Sequence, residues 1–178
     1  MIEYDWAETY RRCYDEAVDL YRAGQRDPSR YLGAEDAQFL ASIGCSRQEM
    51  YDFAEDWCTS QQPAFETSLL VTAVRRDYFL VVQRGARSSN VVPAHNFPAR
   101  EAQRAGFAWL PRIIAKARAK LRGEMPVELM YCCGGDREFL QKVGVHPADF
   151  LRVVWAAGDD EQEIADYVTR HAAGPAAG

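Results

Sequence analysis

The side chains in this sequence best suited to hold or transform a ligand are Arg76, Tyr78, Arg112, Lys116, Asp136 and Arg137. The four cations would orient an anionic group, and Tyr78, Asp136 or the neighbouring Asp77 would handle a proton beside it. That chemistry requires them to converge on one pocket. A second feature is the run Cys132-Cys133-Gly134-Gly135 ahead of Asp136. A small, glycine-rich turn at a helix start lets a ligand approach closely and offers backbone N–H groups, so with Arg137 it would form a nest for an anion. The bland reading of the same residues is a tight turn. A nucleophilic role for Cys132 or Cys133 would need a cation or base beside the sulfur, which a sequence cannot display. His95, His146 and His171 stand in unrelated local settings, and the five cysteines lack paired C-x-x-C spacing. No metal and no cofactor is expected from such spacings.

The charge is strongly segregated along the chain. Residues 1–60 carry 13 acids and 6 bases, residues 61–122 carry 3 and 11, and residues 123–178 carry 10 and 4. Either the basic middle is neutralised within the fold by the acidic ends, or it faces an anionic partner. The excess of arginine over lysine adds little, because base composition of a genome alone can produce it.

Several elements must position these groups. A helix is expected over 5–23, with Asp5 and Glu8 in capping-box spacing and Gly24 as its stop. AEDAQFLASIG reads as a short helix, and Ser46 with Glu49 forms a second capping box opening a helix to about Trp57. Pro63 suits the first position of a long central helix through about residue 83, its inner phase passing through Phe65, Leu69, Thr72, Ala73, Arg76, Phe79 and Leu80. β-Branched residues after Asp77 leave a strand there as the lesser alternative. Residues 85–106 lack periodicity and form the one long loop, with His95 and Asn96 at its centre.

LPRIIAKARAKLRG, residues 110–123, is the most basic amphipathic segment, with Leu110, Ile113, Ile114, Ala117 and Leu121 on one face. Either its basic stems snorkel past a core stripe, or they recognise an anion. In a purely structural helix Arg112 and Lys116 would pair with acids such as Asp159 or Asp160. Helices are further expected over EFLQKVG, HPADFLRVVWAAG and DDEQEIADYVTRHA, the last with acids at its N-terminus, and residues 171–178 are expected to form a disordered tail.

Residues 31–54 laid over 131–154 match at Tyr31/Tyr131, Asp36/Asp136, Phe39/Phe139, Leu40/Leu140 and Gly44/Gly144. This spacing implies an internal duplication. The fold expected is therefore mainly α: one domain over 1–170 made of two related helical units, about 5–60 and 107–170, joined by 61–106 and packed about a pseudo-two-fold axis around the long helix. Repetition also recasts Asp36 and Asp136 as helix caps rather than catalysts, and His146, which takes the place of Ser46 and precedes Pro147, as a local helix-start residue.

Leu110, Pro111, Arg112, Lys116, Arg118, Leu121 and Gly123, followed by Asp136, Phe139, Leu140 and Gly144, make the chain similar to a bacterial family catalogued as domain of unknown function 5069. The resemblance covers about 107–170, and the N-terminal half resembles longer relatives. It departs from the pattern at Ala115, where many relatives would carry an acid beside the lysine. The resemblance implies a fold and no activity.

A composition of 48% apolar and 26% charged residues with net charge −5 describes a globular domain and excludes a disordered or collagen-like chain. The N-terminus lacks the basic and apolar runs of a secretory signal and no apolar run approaches the length of a membrane span. A cytoplasmic protein with reduced thiols is expected. The function expected first is a binding or interaction module, able to pair with a second copy, whose basic middle engages an anionic small molecule or an acidic protein surface. The alternative is an enzyme acting on an anionic small molecule. A nucleic-acid role ranks last, because a pI near 5.3 opposes the basic footprint such domains need.

Overall fold

A computed structural model describes residues 4–173. The chain is mainly helical and divides into two compact units, one ending at Arg87 and the other starting at Ser88. The boundary falls inside the 61–106 segment that the sequence marks as a connection.

The first unit holds α1 (Trp6–Arg22), α2 (Ala34–Ser42), α3 (Arg47–Ser60) and α4 (Phe65–Val81), with a 3-10 turn at Pro28–Arg30. α1 packs on α3 and α4, burying Tyr10, Cys13, Tyr14 and Ala17. The capping box opening α3 forms in full: Glu49 N donates to Ser46 Oγ at 3.2 Å and Ser46 N donates to Glu49 Oε2 at 2.8 Å. The one expected at α1 does not form, since Asp5 accepts no capping hydrogen bond through its side chain. α4 starts later than the sequence suggests. Ala64, not a residue before Pro63, is its N-cap, and Pro63 lies outside the helix. Its inner face is also rotated from the expected phase. Ser68, Val71, Thr72, Val74, Arg75 and Phe79 are buried, while Leu80 is largely exposed and Arg76 only half-buried. Buried hydroxyls cause the discrepancy: Tyr10 Oη lies 2.7 Å from Ser68 Oγ and accepts from Thr72 Oγ1 at 3.0 Å. These polar residues satisfy each other inside and displace the apolar stripe that a hydrophobicity pattern would select.

The second unit holds α5 (Leu110–Arg122), α6 (Gly134–Lys142), α7 (Pro147–Ala157) and α8 (Glu161–Ala172). α7 packs on α5, α6 and α8. The segment expected as an unstructured loop contains a 3-10 turn at Ala94–Asn96, and its end folds into a small antiparallel hairpin, β1 (Gln103–Arg104) with β2 (Phe107–Ala108). The two turn residues, Ala105 and Gly106, both have positive φ, the geometry that matches a tight hairpin to strand twist. No alternation was available to signal strands of two residues each. α8 runs through Ala172, into the stretch expected to be a disordered tail; residues 174–178 of that tail lie outside the described residues.

The two units repeat one local pattern at a spacing of 100 residues. Leu32 and Cys132 take φ of 66° and 70°, and the short helices α2 and α6 begin two residues later. Gly44 and Gly144, at φ 73° and 69°, end the following turn. Tyr31 and Tyr131, Phe39 and Phe139, and Leu40 and Leu140 are all buried.

Candidate functional site

α5 carries the basic residues of the second unit, and its burial pattern explains what they do. Leu110, Ile113, Ile114, Ala117 and Leu121 face the core, each contributing roughly 1.5–3 kcal/mol when the side chain is a large aliphatic one. Lys116 and Lys120 are buried as well, at 2% and 3% exposure. Lys116 therefore does not snorkel to solvent. Its ammonium reaches Asp136, on the first turn of α6, and also lies 3.2 Å from Cys133 Sγ. Asp136 is fully enclosed, and its carboxylate accepts two further hydrogen bonds, from Trp109 Nε1 at 2.9 Å and from Cys132 N at 3.0 Å. A buried ion pair survives desolvation only when such extra donors fill its remaining lone pairs, and here they do.

Asp136 is thus neither cap nor free base. The N-cap of α6 is Cys133, without a side-chain capping hydrogen bond, just as Gly33 stands uncapped before α2. In the first unit Asp36 takes a bidentate pair with Arg12, at 2.5 and 3.2 Å, from a guanidinium whose side chain is 59% exposed. That guanidinium holds the Asp36 carboxyl below its usual range, through hydrogen bonds first and charge second. Beside it, burial and the negative Asp36 push the Cys13 thiol up to about 12. One aspartate position thus carries a water-facing arginine pair in one unit and a dry lysine pair with a thiol contact in the other.

Trp109 completes the arrangement. It precedes α5 with φ 74°, which a tryptophan adopts only under constraint, and its indole N–H fixes Asp136. Its ring leaves no room for a side chain at 135: a Cβ on Gly135 would stand 2.6 Å from Trp109 Cζ2. Arg100 and Arg112 place their guanidinium carbons 5.8 and 5.9 Å from the ring centroid, within cation–π range. Arg112 Nη1 also donates to Pro98 O at 2.7 Å, so Arg112 tethers the preceding loop to α5. Sequence reading did not single out Trp109. The available signal was an aromatic residue with one donor immediately before a helix start.

Among the residues singled out by chemistry, Lys116, Asp136 and Arg137 gather around the Cys132–Gly135 turn, where Arg137 Nη1 donates to Cys132 O at 2.6 Å. Arg112 stands one residue removed, behind Trp109. Arg76 and Tyr78 lie on α4 in the first unit; Arg76 is 3.7 Å from Asp77 and 5.2 Å from the Trp6 ring centroid, and Tyr78 is half-buried. Arg118 and Arg122, also on α5, meet acids other than Asp159 and Asp160. Glu161 accepts from Arg118 at 2.8 Å and is paired with Arg104 at 2.9 Å, while Arg122 pairs with Glu124 at 3.0 Å. Arg104, Lys116, Arg118 and Arg122, four of the bases of the basic middle, are therefore paired with acids inside the second unit. His146 plays its expected local part, Nδ1 accepting from Ala148 N at 3.2 Å with Pro147 at the first helical position.

Comparison with family models gives one match, over residues 98–177, to a domain of unknown function, DUF5069. The match lies within the second unit and covers 80 of the 178 residues. The stretch similar to DUF5069 begins at Pro98, the residue whose carbonyl Arg112 holds, and contains the Trp109–Lys116–Asp136 network entire. No curated protein and no solved structure matches the chain. Among the described residues no helix is long and apolar enough to cross a membrane.

Proposed function

We propose that the second unit is a binding module for a small anion, a phosphate or carboxylate group, received at the start of α6. The observation that carries this reading is the contact between the buried Lys116 ammonium and the half-exposed Cys133 thiol, 3.2 Å apart at the uncapped helix terminus. Lys116 is otherwise sealed behind Asp136, whose carboxylate balances its charge, so what reaches the helix start is an ammonium N–H beside Cys133. The N–H groups of the first turn of α6 and the positive end of its dipole supply the field that an anion would meet. At Gly134 nothing stands in the place of a side chain closer than Arg137 Nη2 at 3.8 Å, which leaves the backbone approachable. We read the two units as products of one duplication, supported by the paired φ values at Leu32/Cys132 and Gly44/Gly144 and by the shared aspartate position. On that reading the second copy acquired a thiol where the first has Gly33, and its aspartate takes its cation from 20 residues upstream, Lys116, instead of from 24, as Asp36 takes Arg12.

Titration with inorganic phosphate, followed by amide NMR, tests this. Gly134 and Gly135 amide signals should shift and saturate in the millimolar range, and bound phosphate should slow alkylation of Cys133 by iodoacetamide. Unmoved amides at high phosphate, with an unchanged alkylation rate, refute it.

The same contact is the basis of an enzymatic alternative in which Cys133 attacks an electrophilic, anionic substrate, the Lys116 ammonium fixing the position of the sulfur. In that case Cys133 should alkylate at pH 7 faster than a cysteine in an unfolded peptide. A rate equal to the peptide's removes the alternative.

A further inference from the structure

The first unit contains a groove of about 460 Å³ between α1, the end of α3 and the start of α4, within the size range of small-molecule sites. Tyr14 lines it. Its side chain is buried, at 3% exposure, yet its hydroxyl oxygen is shielded from solvent and has no hydrogen-bond partner. The other core tyrosines are satisfied. Tyr10 bonds to Ser68 and Thr72, Tyr31 donates to Gln25 O at 2.9 Å, and Tyr131 donates to Pro147 O at 2.8 Å. A phenylalanine would fill the Tyr14 site equally well and spare the desolvation of an orphan hydroxyl. Burial, with Cys58 and Asp15 nearby, pushes the Tyr14 phenol up to about 12, so it remains a donor at neutral pH.

The walls of the groove specify what would accept that hydrogen bond. Phe65 meets the Tyr14 ring edge-on at 5.2 Å, and Trp57 adds a second large aromatic surface. Arg11 lies over the Phe65 ring at 3.5 Å. Its ion pairs with Asp15 and Glu66 are long, 3.7 and 3.9 Å, and all three side chains are about half or more exposed. Such pairs contribute little, so Arg11 can swing off the ring at small cost and uncover the Phe65 face beside Tyr14. Arg22 and Asp19, 3.6 Å apart, form a similarly loose pair further along α1. The groove thus offers aromatic faces, two displaceable guanidiniums and a slight excess of carboxylates.

We propose that this groove binds a small aromatic zwitterion of the amino-acid type. Its ring replaces Arg11 on Phe65 and against Trp57, its carboxylate engages Arg11 or Arg22, its ammonium faces the α1 carboxylates, and one of its oxygens accepts from Tyr14. This site is separate from the anion site of the second unit and stands or falls independently of it.

The test uses the full chain with L-tryptophan, L-tyrosine and L-phenylalanine as probes, against tryptamine, indole-3-propionate and indole, each of which lacks one or both charges. Binding is followed by ligand-observed NMR and by the amide signals of Tyr14 and Trp57. The expected result is that a zwitterion binds at least tenfold more tightly than its singly charged or neutral analogues. Tyr14→Phe should weaken that binding at least fivefold while leaving the melting temperature equal or higher, because the orphan hydroxyl is removed. Absence of binding by every zwitterion, or equal binding by the uncharged indole, overturns the proposal. So does a lower melting temperature for Tyr14→Phe, which would mean that the hydroxyl serves the fold.

Discussion

Removing the same carboxylate from each unit should have very unequal effects. Asp136→Ala strands the Lys116 ammonium in a site where both side chains are essentially inaccessible to water, at 2% and 0% exposure. Loss of one partner from a buried pair costs about 3–5 kcal/mol. Trp109 Nε1 and Cys132 N lose their acceptor as well, and a buried neutral donor left unsatisfied adds ~1–3 kcal/mol. Asp36→Ala removes the counterpart, but Arg12 is 59% exposed and returns to water. Asp36 is itself only 12% exposed and held bidentately, so the loss falls at the upper end for surface pairs, about 1 kcal/mol. Urea denaturation of the two variants, followed by circular dichroism, should separate them by roughly 3 kcal/mol or more, and thermal melts should separate them by on the order of 10 °C for a chain of this length. Lys116→Met combined with Asp136→Asn should recover a large part of the loss, since no bare charge then remains buried. Equal losses from the two alanine variants would refute the reasoning, as would a loss below ~1 kcal/mol for Asp136→Ala.

Gly135→Ala should destabilise the chain by ~1–3 kcal/mol through overpacking, because the new methyl would lie 2.6 and 2.7 Å from two atoms of the Trp109 ring. Adding Trp109→Leu to Gly135→Ala should cost less than the sum of the two single changes, which a double-mutant cycle by urea denaturation would detect. The Arg12–Asp36 pair should leave a mark on the acid side of the stability profile. Its carboxyl is depressed when folded, so the pair stabilises the chain above the unfolded carboxyl value of about 3.9, and the gain disappears as pH falls through the lower folded value. Stability of Asp36→Asn measured from pH 6 down to 2 should therefore fall less steeply than that of the wild type, and parallel curves would exclude the linkage. Iodoacetamide at pH 8 should modify the half-exposed Cys58 and Cys133 well before the buried Cys13, whose thiol is pushed up to about 12. Early labelling of Cys13, read by peptide mass spectrometry, would contradict that order.

Apart from the Asp5–Glu8 box and the Pro63 helix start, local signals whose interaction closes within a few residues are largely legible. The Ser46–Glu49 box, the Gly44 and Gly144 stops and the His146–Pro147 helix start are of this kind. Interactions over longer spans were not legible. Lys116 and Asp136 were both singled out as ligand-binding groups, yet nothing in either residue's neighbourhood reveals that they neutralise each other across 20 positions. Glu161 likewise collects Arg118 from 43 residues away, in preference to the Asp159 and Asp160 beside it. Asp160 is already engaged as the N-cap of α8, accepting from Gln162 N and Glu163 N. The inner phase of α4 departs from the expected one because Ser68 and Arg75 are buried polar residues, which a hydrophobic pattern assigns to the outside. The orphan hydroxyl of Tyr14 could not be foreseen either, since it is defined by what does not surround it.

The fit between Trp109 and Gly135 also restricts the order in which this domain can change over generations. A side chain at 135 is admissible only after the residue at 109 has become smaller, and a smaller residue at 109 surrenders the indole N–H that Asp136 uses. A lineage leaving this state must therefore first find another donor for the aspartate, or lose the buried charge altogether, before position 135 becomes free. The path runs in one direction through an unfavourable intermediate, and the two positions should persist or disappear together.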